Sequence, residues 1–376
     1  MNRIILFMAL LLCLCAPVVG AQTDTDTLYR QQLQASGAED LPRTLPADVQ
    51  ALLDSLDIDP LDPATYMHLS AGQVADMLTT LLEQQSAGPL QALWMLVGVV
   101  LVSALLGGIG DVGGSVALRT TYQSAAVLGA AGVLLTPLFA LLDTVEQTVE
   151  RVTVFLTAYT PVYAAVMAVG GRGAGALSYQ TTLLAAIQLL TWLIRGVVYP
   201  VLTVSLAFGC TGAVANGFSL DRLSGALHKT VLWALGLFST LFSGLLSVQQ
   251  MVAAAGDSVG VRVARFTLSG FVPVVGGLLS EAYTTVMGCA GLLHTVIGAF
   301  GTVAVVLILA PPLVSCICWS LSLHLAAAAA GLFGLSPIEK LCTVSAGAVR
   351  VLIALLAVFG LLMVLATAAV SSAAGR

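Results

Sequence analysis

Leu90–Ile109 reads LQALWMLVGVVLVSALLGGI, an unbroken run without a charged residue. A helix rises about 1.5 Å per residue, so about 20 such residues match a hydrocarbon core about 30 Å thick. Tyr122–Leu142 is a second uncharged run of the same kind, and apolar segments continue to the C-terminus. Composition agrees: 58% of the 376 residues are hydrophobic, 9% are charged, and the mean hydropathy is +1.00. Soluble domains carry about 25% charged residues, and no soluble core absorbs so much apolar surface. The sequence therefore predicts an all-α polytopic membrane protein.

The formal net charge is −5. Residues 22–89 concentrate the acids and hold only Arg30 and Arg43 as bases. Nucleic-acid binding wants a basic face, and that partner class is excluded. Ahead of this region, Arg3 and the apolar stretch Ile4–Cys15 read as a signal peptide over residues 1–21. Val19 and Ala21 are placed for cleavage before Gln22. The alternative is an uncleaved anchor. Export puts residues 22–89, an acidic helical region, on the extracytoplasmic side.

Within that region, Leu45-Pro46-Ala47-Asp48 reads as a turn into a short helix, because proline suits a first helical turn. Asp57, Asp59 and Asp62 alternate with Pro60 and Pro63. The prolines spoil a calcium loop, which leaves a solvated turn. Val74, Met77, Leu78, Leu81 and Leu82 make a stripe at helical spacing. The expectation is that it packs on the membrane or a partner, with a local core as the alternative.

Residues 90–150 are read as the first two transmembrane helices followed by an acidic loop at Asp143, Glu146 and Glu150. The chain then looks duplicated, over 151–250 and 262–376. Arg151 and Arg262 are 111 residues apart. Pro161 and Pro273 are 112 apart, as are Pro200 and Pro312. Chance punctuation by proline and arginine is the alternative. With the prolines taken as breaks or re-entrant turns, about seven to ten membrane segments are expected. Arg119, Arg172, Arg222, Lys229, Lys340 and Arg350 then fall on the cytoplasmic side, as cationic loops do.

Chemistry is sparse. Arg195 is a candidate intramembrane charge, which needs a partner or cavity unless it snorkels from a helix end. Glu281 either pairs with Arg262 or Arg265 or is a loop acid. The four histidines are scattered, and no zinc, phosphate-loop or Gly-x-Ser-x-Gly motif occurs. No catalytic residues, metal site or cofactor are expected. Glycines in apolar runs, such as Gly298 with Gly301, predict close helix packing.

The stretch Asp257–Phe266 (DSVGVRVARF), followed by Phe271-Val272-Pro273-Val274-Val275-Gly276, resembles the stage III sporulation protein AE family. Glu281, Ala282, Thr285 and Val286 continue the resemblance. Asp257, Arg262, Arg265, Phe266, Pro273, Gly276 and Glu281 are its candidate motif residues. Thr284 stands where a second acid is implied, and His294 where a lysine is implied. The resemblance implies a multi-pass subunit of a secretion-like channel complex linking mother cell and forespore. Its place would be the mother-cell membrane around the forespore, and its role forespore development after engulfment. Implied partners are the other membrane subunits, further copies of itself and the lipid bilayer; no enzymatic activity is implied. The competing class is a stand-alone secondary transporter built from repeated broken-helix units.

Overall fold

The computed structural model describes the backbone at 25–56, 58–62, 65, 71–113, 116–170, 173–214, 220–271 and 276–372. Side chains are described at 29–56, 58–62, 65, 72–107, 121, 123–170, 173, 175–213, 222–249, 251 and 288–366. The signal peptide expected over residues 1–21 lies outside these residues.

Everything regular among the described residues is helical. The N-terminal region forms α1 (Thr25–Ala35), a 3-10 segment (Ala38–Thr44) and α2 (Ala47–Ser55). About three-quarters of the chain then lies in long helices: α3 (Ala71–Gly113), α4 (Val116–Val169), α5 (Gly173–Leu193), α6 (Tyr199–Val214), α7 (Leu220–Phe271), α8 (Gly276–Leu332) and α9 (Ser336–Ser372). A π-helical turn, Ile194–Val198, joins α5 to α6 without a loop.

Pro46 caps α2 as its sequence predicts, with Val49 and Gln50 both donating to its carbonyl. At the acidic turn, Asp59 accepts from the Leu61 N–H at 3.1 Å, so this aspartate shapes backbone. Of the stripe on α3, Met77 and Leu81 are buried in the core and Leu78 packs against it, while Leu82 is exposed. Met77 and Leu81 are buried in one cluster with Leu41, Val49 and Leu53 of the N-terminal region. Apolar side chains from its own neighbours were available, so neither lipid nor a partner is needed to cover those two positions.

Six helices are long and apolar enough to cross a membrane among the described residues. The sequence estimate was higher because it took prolines and acids as segment ends. Instead Pro161 lies inside α4 and Pro311 and Pro312 inside α8. Asp143, Glu146 and Glu150, read as a loop, lie on α4. One proline removes one backbone hydrogen bond, and packed neighbours tolerate that in a long apolar helix. Pro200 sits directly after the π turn, where Tyr199 donates to the Ile194 carbonyl five residues back. A widened turn is a common way to absorb such a local misfit. The short segment after Pro200 is therefore the second half of one helix.

Burial shows the layering. Of the most apolar window of α8, 89% is buried, against 17% for α3 and α7. The stretch from Leu293 to Ala310 of α8 is thus the axis of the bundle, with α3, α4 and α9 packed round it. Large apolar side chains left outside lie mostly on α3, α5 and α7: Trp94, Leu105, Leu177, Trp192, Trp233 and Leu241. Such faces suit lipid or a protein partner.

Close approach is met by small residues at the axis. A Cβ at Gly301 would lie inside contact distance of the Tyr159 ring, and one at Gly360 would lie 2.9 Å from Leu309 Cδ1. Gly129, Gly132, Gly288 and Gly291 face open space. The α8–α9 turn is a Schellman motif. Gly334, at φ 68°, donates to Gly331, and Leu335 donates to Ala330 at 2.9 Å.

Candidate functional site

The acids of α4 gather the polar groups. Asp143, Glu146 and Glu150 recur at three- and four-residue steps, which places them along one helical face. Opposite them lies the π turn. Arg195 Nε meets Glu146 Oε1 at 3.2 Å, and Arg195 Nη2 meets Glu150 Oε2 at 2.8 Å. Tyr199 Oη donates to Asp143 Oδ1 at 2.9 Å. Next to Glu150, Arg151 Nη1 donates to Asp48 Oδ2 of the N-terminal region at 2.9 Å. A hydroxyl pair, Thr153 with Thr191 at 3.2 Å, continues the α4–α5 seam.

These contacts form a belt in which four carboxylates face two guanidiniums, leaving an acidic balance. The Arg195 side chain is 43% exposed, so the belt meets its surroundings rather than sealing a core. Such an arrangement holds helices in register and presents charge; it offers no activated nucleophile. Among the described residues no group of three or more His, Cys, Asp or Glu is arranged to hold a metal ion.

Beyond the belt runs an aromatic column that the sequence reading missed. Phe155, Tyr159 and Tyr163 stack along α4, with ring centroids 5.7 and 5.2 Å apart. Phe300 meets Phe155 edge-on, and Tyr159 Oη donates to the Ile297 carbonyl at 3.1 Å. The histidine at the implied lysine position, His294, is buried and stacks on Tyr163 at 5.0 Å. It occupies a packing position at the axis. The spacing of the α4 aromatics at every fourth residue was the available signal.

Arg195, expected to need a partner, has two. Of the repeat-break prolines, Pro161, Pro200 and Pro312 are helical, and Pro273 lies outside the described residues. The side chains of Asp257, Arg262, Arg265, Phe266 and Glu281 also lie outside them. Gly276 is the first residue of α8.

Comparison with known proteins places this architecture. No solved structure matches the chain. Stage III sporulation protein AE of Bacillus subtilis (strain 168) is 26% identical over 227 residues. That stretch is 60% of this chain and 57% of the relative, so the match spans a little over half of that protein's length. The family described as Stage III sporulation protein AE (spore_III_AE) matches residues 64–375. The chain belongs to the stage III sporulation protein AE family.

Proposed function

We propose that this sporulation protein is a multi-pass membrane subunit of a secretion-like channel complex linking mother cell and forespore, needed for forespore development after engulfment. The observation that carries the reading is the family match, which covers every long helix. Two features of the fold support it. Apolar faces on α3, α5 and α7 are free for other membrane subunits or further copies of the chain. The N-terminal region is tied to α4 by Asp48 and Arg151, and with residues 22–89 extracytoplasmic it would meet partners outside the bilayer.

In this reading the protein resides in the mother-cell membrane around the forespore, with residues 22–89 extracytoplasmic. Its work is structural, without catalysis. The duplication of 151–250 in 262–376 is part of the proposal. An offset of about 112 residues carries the α5–α6 helix, with Pro200, onto α8, with Pro312. The transporter reading drew on Arg195 as a lone intramembrane charge and on proline breaks. Arg195 is paired and half exposed, and Pro161, Pro200 and Pro312 lie within helices, so both supports have weakened.

The test is a clean deletion in the native host, scored by a late forespore reporter. Arrest after engulfment, restored by the gene expressed only in the mother cell, is the expected result. Normal spores would overturn the reading.

A further inference from the structure

A second polar site lies away from the belt, where α7 and α9 diverge. A cavity of about 460 Å³ opens there, and Lys229, Lys340 and Arg350 all reach its wall. Glu339 is its one carboxylate, so the lining carries three cations against one anion. None of the three cations is in an ion pair among the described residues. Arg350 Nη2 instead lies 3.3 Å from His324 Nε2, a contact that supplies no negative charge.

Like charges do not gather without cause, since each pays for the others' field. Here the frame holds them together. His228 is buried under the cavity, fixed by Ser205 Oγ at 2.6 Å from its Nε2. On the other side of the ring only glycine fits at 347, where a Cβ would lie 2.7 Å from His228 Nδ1. That contact packs α9 against α7, and Arg350 and Lys229 line the same cavity. The first turn of α9, Ser336 to Glu339, forms a further wall and adds the positive end of a 37-residue helix. Lys229 and Arg350 each come just before an uncharged run, Val231–Val248 and Val351–Val370. Cations in a cleft between membrane helices at such boundaries are the arrangement that receives phosphate-bearing groups.

We infer that the α7–α9 cavity is a binding site for a phosphate-bearing anion, held by Lys229, Lys340 and Arg350. Two sources carry that chemistry: the headgroup of an anionic phospholipid, and a soluble phosphate. The site stands independently of the channel reading.

The test uses the full chain purified in detergent. Thermal shift and native mass spectrometry follow binding of phosphatidylglycerol, phosphatidylcholine and inorganic phosphate. Wild type is expected to retain phosphatidylglycerol or phosphate in preference to phosphatidylcholine. The triple variant Lys229→Gln, Lys340→Gln, Arg350→Gln should lose affinity by at least about ten-fold. Lys229→Arg with Lys340→Arg and Arg350→Lys should keep it, which separates charge from folding. Arg222→Gln, on α7 outside the cavity lining, should change nothing. Phosphatidylglycerol binding that phosphate does not displace assigns a lipid; displacement by phosphate assigns a soluble anion. Equal binding by the glutamine variant, or no preference for either anion in wild type, overturns the inference.

Discussion

Single residues decide whether the axis of the bundle closes. Gly301 is under the Tyr159 ring, so Gly301→Ala should overpack the α4–α8 contact at a cost of about 1–3 kcal/mol. Thermal unfolding in detergent checks it; an unchanged midpoint contradicts the packing account. Gly334 holds a left-handed turn, and Gly334→Ala should cost about 1 kcal/mol by the same measurement. Tyr29 donates to the Leu61 carbonyl at 2.9 Å and is held neutral, its pKa raised by burial first and by Asp62 and Asp59 next. Its pKa is thus higher folded than unfolded. The stabilisation is complete below the unfolded value of about 10 and is lost as pH rises beyond it. Proteolysis of residues 29–61 should therefore accelerate above about pH 10, and Tyr29→Phe should flatten that rise. Gly301 and Gly334 sit in glycine pairs visible in the sequence. Gly334 is singled out by its left-handed φ in the turn, whereas Gly301 meets Tyr159 through a helix rotation that is set only when the helices pack.

At the scale of elements, the sequence displays apolar length clearly and helix ends poorly. The runs at 90–109 and 122–142 are helical as read. The acids at 143–150 look like a loop because three carboxylates in an apolar chain demand water or a cation. Arg195 and Tyr199 supply partners from a segment about 50 residues later, which no local reading reveals. Arg195→Gln would leave Glu146 and Glu150 unneutralised one turn apart. At this exposure the cost should be about 1 kcal/mol or less, with Arg195→Lys recovering part of it. The Asp48–Arg151 tie is similarly exposed and similarly weak. Its role is positional: Arg151→Asp should raise protease access to the N-terminal region, and adding Asp48→Arg should lower it again. Equal access in all three proteins would remove Asp48 from the docking account.

The whole molecule is a bundle longer than a bilayer is thick. At about 1.5 Å per residue, α4 and α8 each run about 80 Å, against about 30 Å of hydrocarbon. Parts of these helices must therefore stand beyond the hydrocarbon, and the exposed Trp192 and Leu177 of α5 call for cover wherever they do not face lipid. Neighbouring subunits can provide it. The membrane class and the family were legible from charge-free runs and from Asp257–Gly276. The belt, the aromatic column and the α7–α9 cavity were not, because each joins residues distant in the chain.

The most direct test of a subunit role is photo-crosslinking in sporulating cells. A benzoylphenylalanine would replace Trp192 on α5 or Trp233 on α7, both exposed. The account predicts discrete adducts with other membrane proteins made during sporulation, or with a second copy of the chain. Functional protein that yields no protein adduct from either position would contradict it.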